Sequence, residues 1–397
     1  MNFPLRLRPL SSSSLAFATG FSLWLTAVPI QAEAIDYRTI TPRVGDPFEL
    51  RTEFSASEPV VTGTDTPLPG WLGSGHMVLK DGRLLLVYVH QDQCKLSYSS
   101  DEGKTWTEPL PVPTSQPEEI RIHRPAVIAT AQGDIWVFFY ALLRYDVKNP
   151  DNSVNNLWAV RSGDGGKTWD EAKCIYEGYV GMLQGAIQTS KGNLVIPICD
   201  YQEVRRFVSL CMISTDAGKT WRKSNIVDLG YPKTSFPLSA NLNGGALEPS
   251  VAEMPDGRLL MMIRTVIGEF YHSISSDGGL TWNAPTPVPL TCGGPCNVVN
   301  LPGGGIAVAY NPANLKSPET KRWGSPIGYD TETLAGMLQG PESWHVIHDF
   351  VRQVPGKVRV VHSTITGLPN GKMLINLPGR STLLSCDKSL VLNPTKN

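Results

Sequence analysis

Apolar and polar residues alternate along much of this chain with the period of two that a half-buried β-strand imposes, as in Lys95-Leu96-Ser97-Tyr98. A longer pattern recurs with it: an apolar run, a turn holding glycine, and a second apolar run. The first instance is Val78-Leu79-Lys80-Asp81-Gly82-Arg83-Leu84-Leu85-Leu86-Val87-Tyr88, and the others pass through Gly133, Gly192, Gly257, Gly304 and Gly371. Each reads as a β-hairpin. Six hairpins over residues 35–397 leave about 60 residues apiece, which suits a four-stranded blade. The predicted fold is all-β, a six-bladed β-propeller closed in a ring so that few strand edges are exposed.

An octapeptide of the form S-x-D-x-G-x-T-W follows four of these hairpins. Its copies run Ser99–Trp106, Ser162–Trp169, Ser214–Trp221 and Ser275–Trp282, with starts 63, 52 and 61 residues apart. Such spacing marks a repeat architecture. The residue types specify a turn: Asp accepts backbone N–H bonds, Gly allows a positive φ, and Trp tucks between neighbouring sheets. These aspartates are therefore read as structural. The last two predicted blades lack the octapeptide.

Composition narrows the partners. The 397 residues carry a net charge of −1 with no basic stripe, which argues against nucleic acid or an anionic membrane surface. Residues 1–34 read as a signal peptide. Arg6 and Arg8 supply the positive start, Leu15 to Val28 is apolar but too short to span a bilayer, and Ala32-Glu33-Ala34 fits a cleavage site. The expected mature domain is 35–397, secreted or periplasmic and free of the membrane after cleavage. Seven cysteines leave at least one unpaired, and export permits either a Cys292–Cys296 clip or free buried thiols. Their spacing resembles no metal site, and no cofactor is implied.

Register locates the chemistry. Nine residues before each turn glycine stand Gly73, Arg124, Leu183 (with Gln184 beside it), Glu248, Pro295 and His362. These are corresponding positions at one rim of the central channel. The strands leaving the turns return to that rim, bringing His90 and Asp92, Arg144 and Asp146, Asp200 and Tyr201, Arg264, Asn311, and Arg380. Loop-bearing rims of rigid scaffolds are common binding sites.

The octapeptides resemble the Asp-boxes of the sialidase (neuraminidase) superfamily, whose members are bacterial neuraminidase repeat proteins. The run from Ala246-Leu247-Glu248-Pro249 to Arg264 is also similar to that family, and the resemblance covers nearly all of the mature chain. It implies that Glu248 pairs with the catalytic nucleophile and that Arg264, sixteen residues later, grips the substrate carboxylate. Arg322 falls near the place of another such arginine, and Asp92 lies on the loop that carries the acid. Two departures stand out. Leu72-Gly73-Ser74-Gly75-His76 replaces the family's blade-one arginine motif, with Arg124 offered from the next blade, and His362 stands where a tyrosine nucleophile is expected.

The reading that follows is an exo-acting glycoside hydrolase for an oligo- or polysaccharide ending in an acidic sugar. Glu248, His362 and Asp92 are its candidate catalytic groups. Arg124, Arg264, Arg322, Asp200 and Tyr201 are its candidate substrate contacts. A polysaccharide lyase acting on uronic acids, with His362 as base, and a non-catalytic glycan-binding propeller are the alternatives.

Overall fold

The structure, a computed structural model, describes residues 50–54, 66–67, 75–90, 93–114, 121–144, 152–201, 207–229, 245–265, 269–301, 305–314, 328–329, 334–339, 344–351, 364–369, 372–377 and 382–387. The chain divides into two units, Met1–Ala34 and Ile35–Asn397. The first, which holds the expected signal peptide, lies outside the described residues.

The described part is built almost wholly of strands. After β1 (Leu50–Phe54) and β2 (Thr66–Pro67) come β3 (Gly75–Val78), β4 (Leu84–His90), β5 (Gln93–Ser99) and β6 (Leu110–Pro111), paired in that order as an antiparallel sheet. The second sheet holds β7 (Arg121–Ala129), β8 (Ile135–Arg144), β9 (Val154–Ser162) and β10 (Lys173–Tyr176). The third holds β11 (Ile187–Gln188), β12 (Leu194–Asp200), β13 (Val208–Ser214) and β14 (Arg222–Lys223).

Next come β15 (Leu247–Glu253), β16 (Leu259–Arg264), β17 (Glu269–Ser275) and β18 (Thr286–Asn300), then β19 (Ile306–Asn314), β20 (Gly328–Tyr329), β21 (Leu334–Gln339) and β22 (Trp344–Val351). These strands join with β1 in one nine-stranded sheet. The cause is β18, whose first part pairs with β17 and whose second part pairs with β19. Hydrogen bonding thus groups the strands into five sheets where six blades were expected. The last sheet holds β23 (Thr364–Gly367), β24 (Lys372–Leu377) and β25 (Thr382–Asp387), completed on its outer edge by β2 from near the other end of the chain.

Neighbouring inner strands meet in cyclic order: β3 with β7, β7 with β11, β12 with β15, β15 with β18, β18 with β23, and β23 with β3. This is the propeller arrangement. The core is accordingly divided into wedges between sheets. Leu85, Leu96, Val127 and Phe139 fill the space between the first two, and Phe138, Leu157, Ile196 and Leu210 the next. The positive-φ glycines of the described hairpin turns are Gly82, Gly133, Gly192, Gly257 and Gly305. Gly304 and Gly371 lie outside the described residues.

The octapeptides close as their chemistry requires. In the third, Thr220 donates to the Asp216 carboxylate from its N–H at 2.9 Å and from Oγ1 at 2.6 Å, while Ser214 Oγ accepts the Gly218 N–H at 2.7 Å. The threonine side-chain and backbone bonds hold the carboxyls of Asp101, Asp164 and Asp216 down at about 2. Each tryptophan then packs on the preceding sheet. Trp221 meets Trp136 and Phe138 edge-on, with centroids 5.9 and 5.7 Å away. Trp106 packs against the cluster that Leu368 and Leu374 form with Leu84, Leu86 and Tyr88.

Of the two readings of the cysteines, the Cys292–Cys296 clip is not formed: Cys296 is buried and is not in a disulfide. Cys94, Cys174, Cys199 and Cys211 are free thiols.

Two stability predictions follow from this packing. Trp221→Ala leaves Trp136 and Phe138 facing a void, and is expected to cost about 3 kcal/mol in urea unfolding; a loss below about 1 kcal/mol contradicts the wedge role. Burial lowers His76 and His272 from 6.5 to about 4. The unfolded chain therefore binds protons that the native state does not. Stability should be full above pH 6.5 and fall as the pH drops toward 4, by up to about 3 kcal/mol per imidazole. Further loss is expected as the Asp-turn carboxyls protonate between 3.8 and about 2. A flat stability profile from pH 7 to 4 contradicts the histidine contribution.

Candidate functional site

Prolines shape the rim. Arg124-Pro125 and Glu248-Pro249 occupy corresponding positions in the second sheet and in the nine-stranded sheet, and in β18 Pro295 stands one residue earlier, level with Arg124 and Glu248. Proline has no N–H to give to a ladder, so regular pairing breaks there. The register shifts between His123 and Ala126, between Leu247 and Ser250, and between Cys292 and Cys296. Bulges of this kind commonly re-aim a side chain at the end of a sheet.

At Glu248 the consequence is visible in the main chain. Its φ is 44°, in the left-handed region, one of three such non-glycine residues among those described. The other two, Glu102 and Ala217, sit in octapeptide turns. Directly after the bulge residue the chain must also accommodate Pro249, which disfavours helical φ/ψ before it. Glu248 is held where a side chain carries a steric cost.

Its carboxylate meets Arg264. Leu247 pairs with Arg264 across the β15–β16 ladder, so the residue after Leu247 is placed to reach the end of β16. Arg264 Nη1 donates to Glu248 Oε2 at 2.8 Å. The two side chains are 16% and 12% exposed, sheltered enough to strengthen the charge pair and open enough for a ligand to approach. Arginine is suited to such a place, because its planar fork serves several oxygens at once.

The third sheet brings its own rim residues alongside. Asp200 is buried, and its Oδ1 accepts the Tyr179 N–H at 2.9 Å. Tyr201 is buried in an aromatic group with Tyr179 and Phe207, at centroid distances of 6.3 and 5.2 Å. Leu247 and Cys199 belong to the same apolar cluster. Asp200 and Tyr201 therefore brace the floor beside Glu248.

Of the remaining candidates, Arg124 stands in β7 at its bulge, with its main chain described and its side chain not. His362, Asp92 and Arg322 lie outside the described residues. Cys199 and Phe207, which pack with Leu247 beside Glu248, and Gly181, which packs on Cys199, were not singled out from the sequence. A glycine and a cysteine in an apolar stretch give no sign of their partner.

Toward the hairpin turns, the inner strands enclose a cavity of about 440 Å³. Side chains of its lining tie the strands together. Asn297 Nδ2 donates to the Gln184 carbonyl at 2.8 Å while its Oδ1 accepts the Ile365 N–H at 2.8 Å. Thr366 Oγ1 donates to the His76 carbonyl at 3.0 Å.

Residues 93–350 match the family model described as a BNR repeat-like domain. Solved structures share the fold. A protein of unknown function from Dyadobacter fermentans superposes with a TM-score of 0.57 at 19% identity, covering 83% of this chain and 98% of that one. A Hadza microbial sialidase gives 0.58 at 16%, covering 82% and 67%. The intramolecular trans-sialidase from Ruminococcus gnavus, in complex with oseltamivir carboxylate, gives 0.58 at 13%, covering 82% and 96%.

The left-handed backbone at Glu248 makes a prediction. Glycine has no Cβ to clash there, so Glu248→Gly should be more stable than Glu248→Ala by about 1 kcal/mol in thermal or urea unfolding. In an ordinary strand the order is reversed, and alanine proving the more stable would contradict the assigned conformation.

Proposed function

Because the chain belongs to the BNR repeat-like family, we propose that it is an exported, sialidase-like exo-glycoside hydrolase acting on a glycan with an acidic terminal sugar. The observation that carries this reading is the Glu248–Arg264 pair at 2.8 Å, largely sheltered at a bulge on the channel rim.

The chemistry divides as follows. Arg264 meets the sugar carboxylate with guanidinium donors while Nη1 stays with Glu248, and Arg124 and Arg322 add positive charge from neighbouring blades. Glu248 acts as base and orienter toward His362, fixing the imidazole tautomer. Asp92 gives a proton to the leaving oxygen. Water supplies a hydroxyl to the anomeric carbon and returns a proton to the site, so the released sugar has gained one water. Sialidases already depart from the usual two-carboxylate scheme, which leaves room for a histidine in this role. The residue 1–34 segment delivers the enzyme to the glycan outside the cytoplasm.

Turnover of a panel of sialylated and uronate-containing glycans tests the assignment. Glu248→Gln should keep the fold and lower kcat at least about 100-fold. Arg264→Lys, which keeps charge but loses the fork, should raise KM about tenfold on acidic substrates. Unchanged turnover in Glu248→Gln removes that residue from the mechanism. Saturable binding without product assigns the rim to glycan recognition alone.

A further inference from the structure

Glu248 holds an uphill backbone conformation, and such a conformation persists only where the surroundings over-determine it. Three close approaches do so. Gly245 lies so near the end of the third sheet that a Cβ there would stand 2.1 Å from the Phe207 carbonyl oxygen. Ala246 then donates its N–H to that same oxygen at 2.9 Å. Leu247 packs in one apolar cluster with Cys199, Tyr201 and Phe207. The chain is thus clamped for three residues before it turns at Glu248.

The floor beneath the turn is a cysteine. Cys199 is 1% exposed and free, and the Glu248 main-chain N–H faces its sulfur. From the other side Gly181 donates its N–H to the Cys199 carbonyl at 2.9 Å. A Cβ on Gly181 would lie 2.2 Å from the Cys199 sulfur, so the thiol fills the space that glycine leaves open. Burial pushes the thiol up to about 12, which keeps it protonated and unsuited to nucleophilic attack.

We propose that Cys199 is a positioning residue for Glu248: its sulfur, seated over Gly181, supports the left-handed bulge and so fixes the reach of the Glu248 carboxylate to Arg264. A large, soft atom fits this place. Alanine leaves room for the bulge to relax toward ordinary strand geometry, whereas serine keeps an acceptor for the Glu248 N–H. The kinetic part of the claim rests on the proposed hydrolase. The geometric part does not.

The experiment compares Cys199→Ala and Cys199→Ser with the wild-type chain by crystallography and by kinetics on the most rapidly cleaved glycan. In Cys199→Ala, Glu248 should leave positive φ and its contact with Arg264 Nη1 should lengthen beyond hydrogen-bonding range. Displacing a catalytic group by about 1 Å costs up to about 100-fold, so kcat should fall about tenfold or more while KM changes less than about twofold. The acid limb of the kcat profile should shift. Cys199→Ser should restore most of the rate. In a Glu248→Gln background the alanine change should have no further effect.

A Cys199→Ala structure that keeps φ near 44° and the 2.8 Å contact overturns the proposal. So does a rate loss that leaves the pH profile in place and is not recovered by serine. Should alanine fail to fold, the serine variant decides the matter by the same two readouts. If the wild-type chain cleaves no glycan, the hydrolase reading fails and the crystallographic comparison still settles the positioning claim.

Discussion

Ladder hydrogen bonds hold each sheet together, while side chains hold most sheets to their neighbours, and the structure depends on that second kind of contact. The octapeptide turn is its main device. A carboxylate closed on threonine at 2.6 Å fixes the turn, and the fixed turn presents a tryptophan to the sheet before it. Trp106, Trp169, Trp221 and Trp282 each pack this way, against the sixth, first, second and third groups of inner-strand hairpins respectively. Apolar burial between sheets then supplies most of the driving force, since the wedges are filled with Leu, Val, Ile and Phe. Polar ties reinforce the turn side, where Glu253 accepts both the N–H and the hydroxyl of Ser190 at 2.6 Å.

A scaffold secured away from the rim can carry strain at the rim. Proline interrupts the ladders of β7, β15 and β18 near that end. At Glu248 the break is deep enough to reverse the sign of φ. Clamping by Phe207, packing on Cys199 and pairing with Arg264 hold the conformation against its steric cost. A charge pair sheltered from water is also a stronger element of recognition than the same pair on an open surface.

Much of this was legible in the chain. The octapeptides state the turn chemistry residue by residue, and the hairpin spacing states how many strands each sheet needs. The sixteen-residue step from Glu248 to Arg264 brings the two to the same end of adjacent antiparallel strands, but the roles read from the sequence kept them apart, one toward the nucleophile and one toward the substrate, and their 2.8 Å contact was not foreseen. Other features left no trace in local pattern. The fusion of two ladders depends on β18 running for 15 residues through Pro and Gly that suggested a loop. The pairing of β2 with β25 joins segments some 300 residues apart, and no local signal encodes such a partner. The left-handed backbone at Glu248 is likewise a tertiary effect: Glu-Pro by itself favours extended geometry, and only the clamp overrides it. The repeated residue-proline pair at Arg124 and Glu248 was the one hint available.

The most direct measurement of the central claim is mass spectrometry of glycan products formed in water enriched in oxygen-18. A glycoside hydrolase built on the Glu248 rim places one heavy oxygen on the released acidic sugar, at its anomeric carbon, and the label disappears with Glu248→Gln. A released sugar without the label, or an unsaturated product formed with no water added, contradicts hydrolysis at this site.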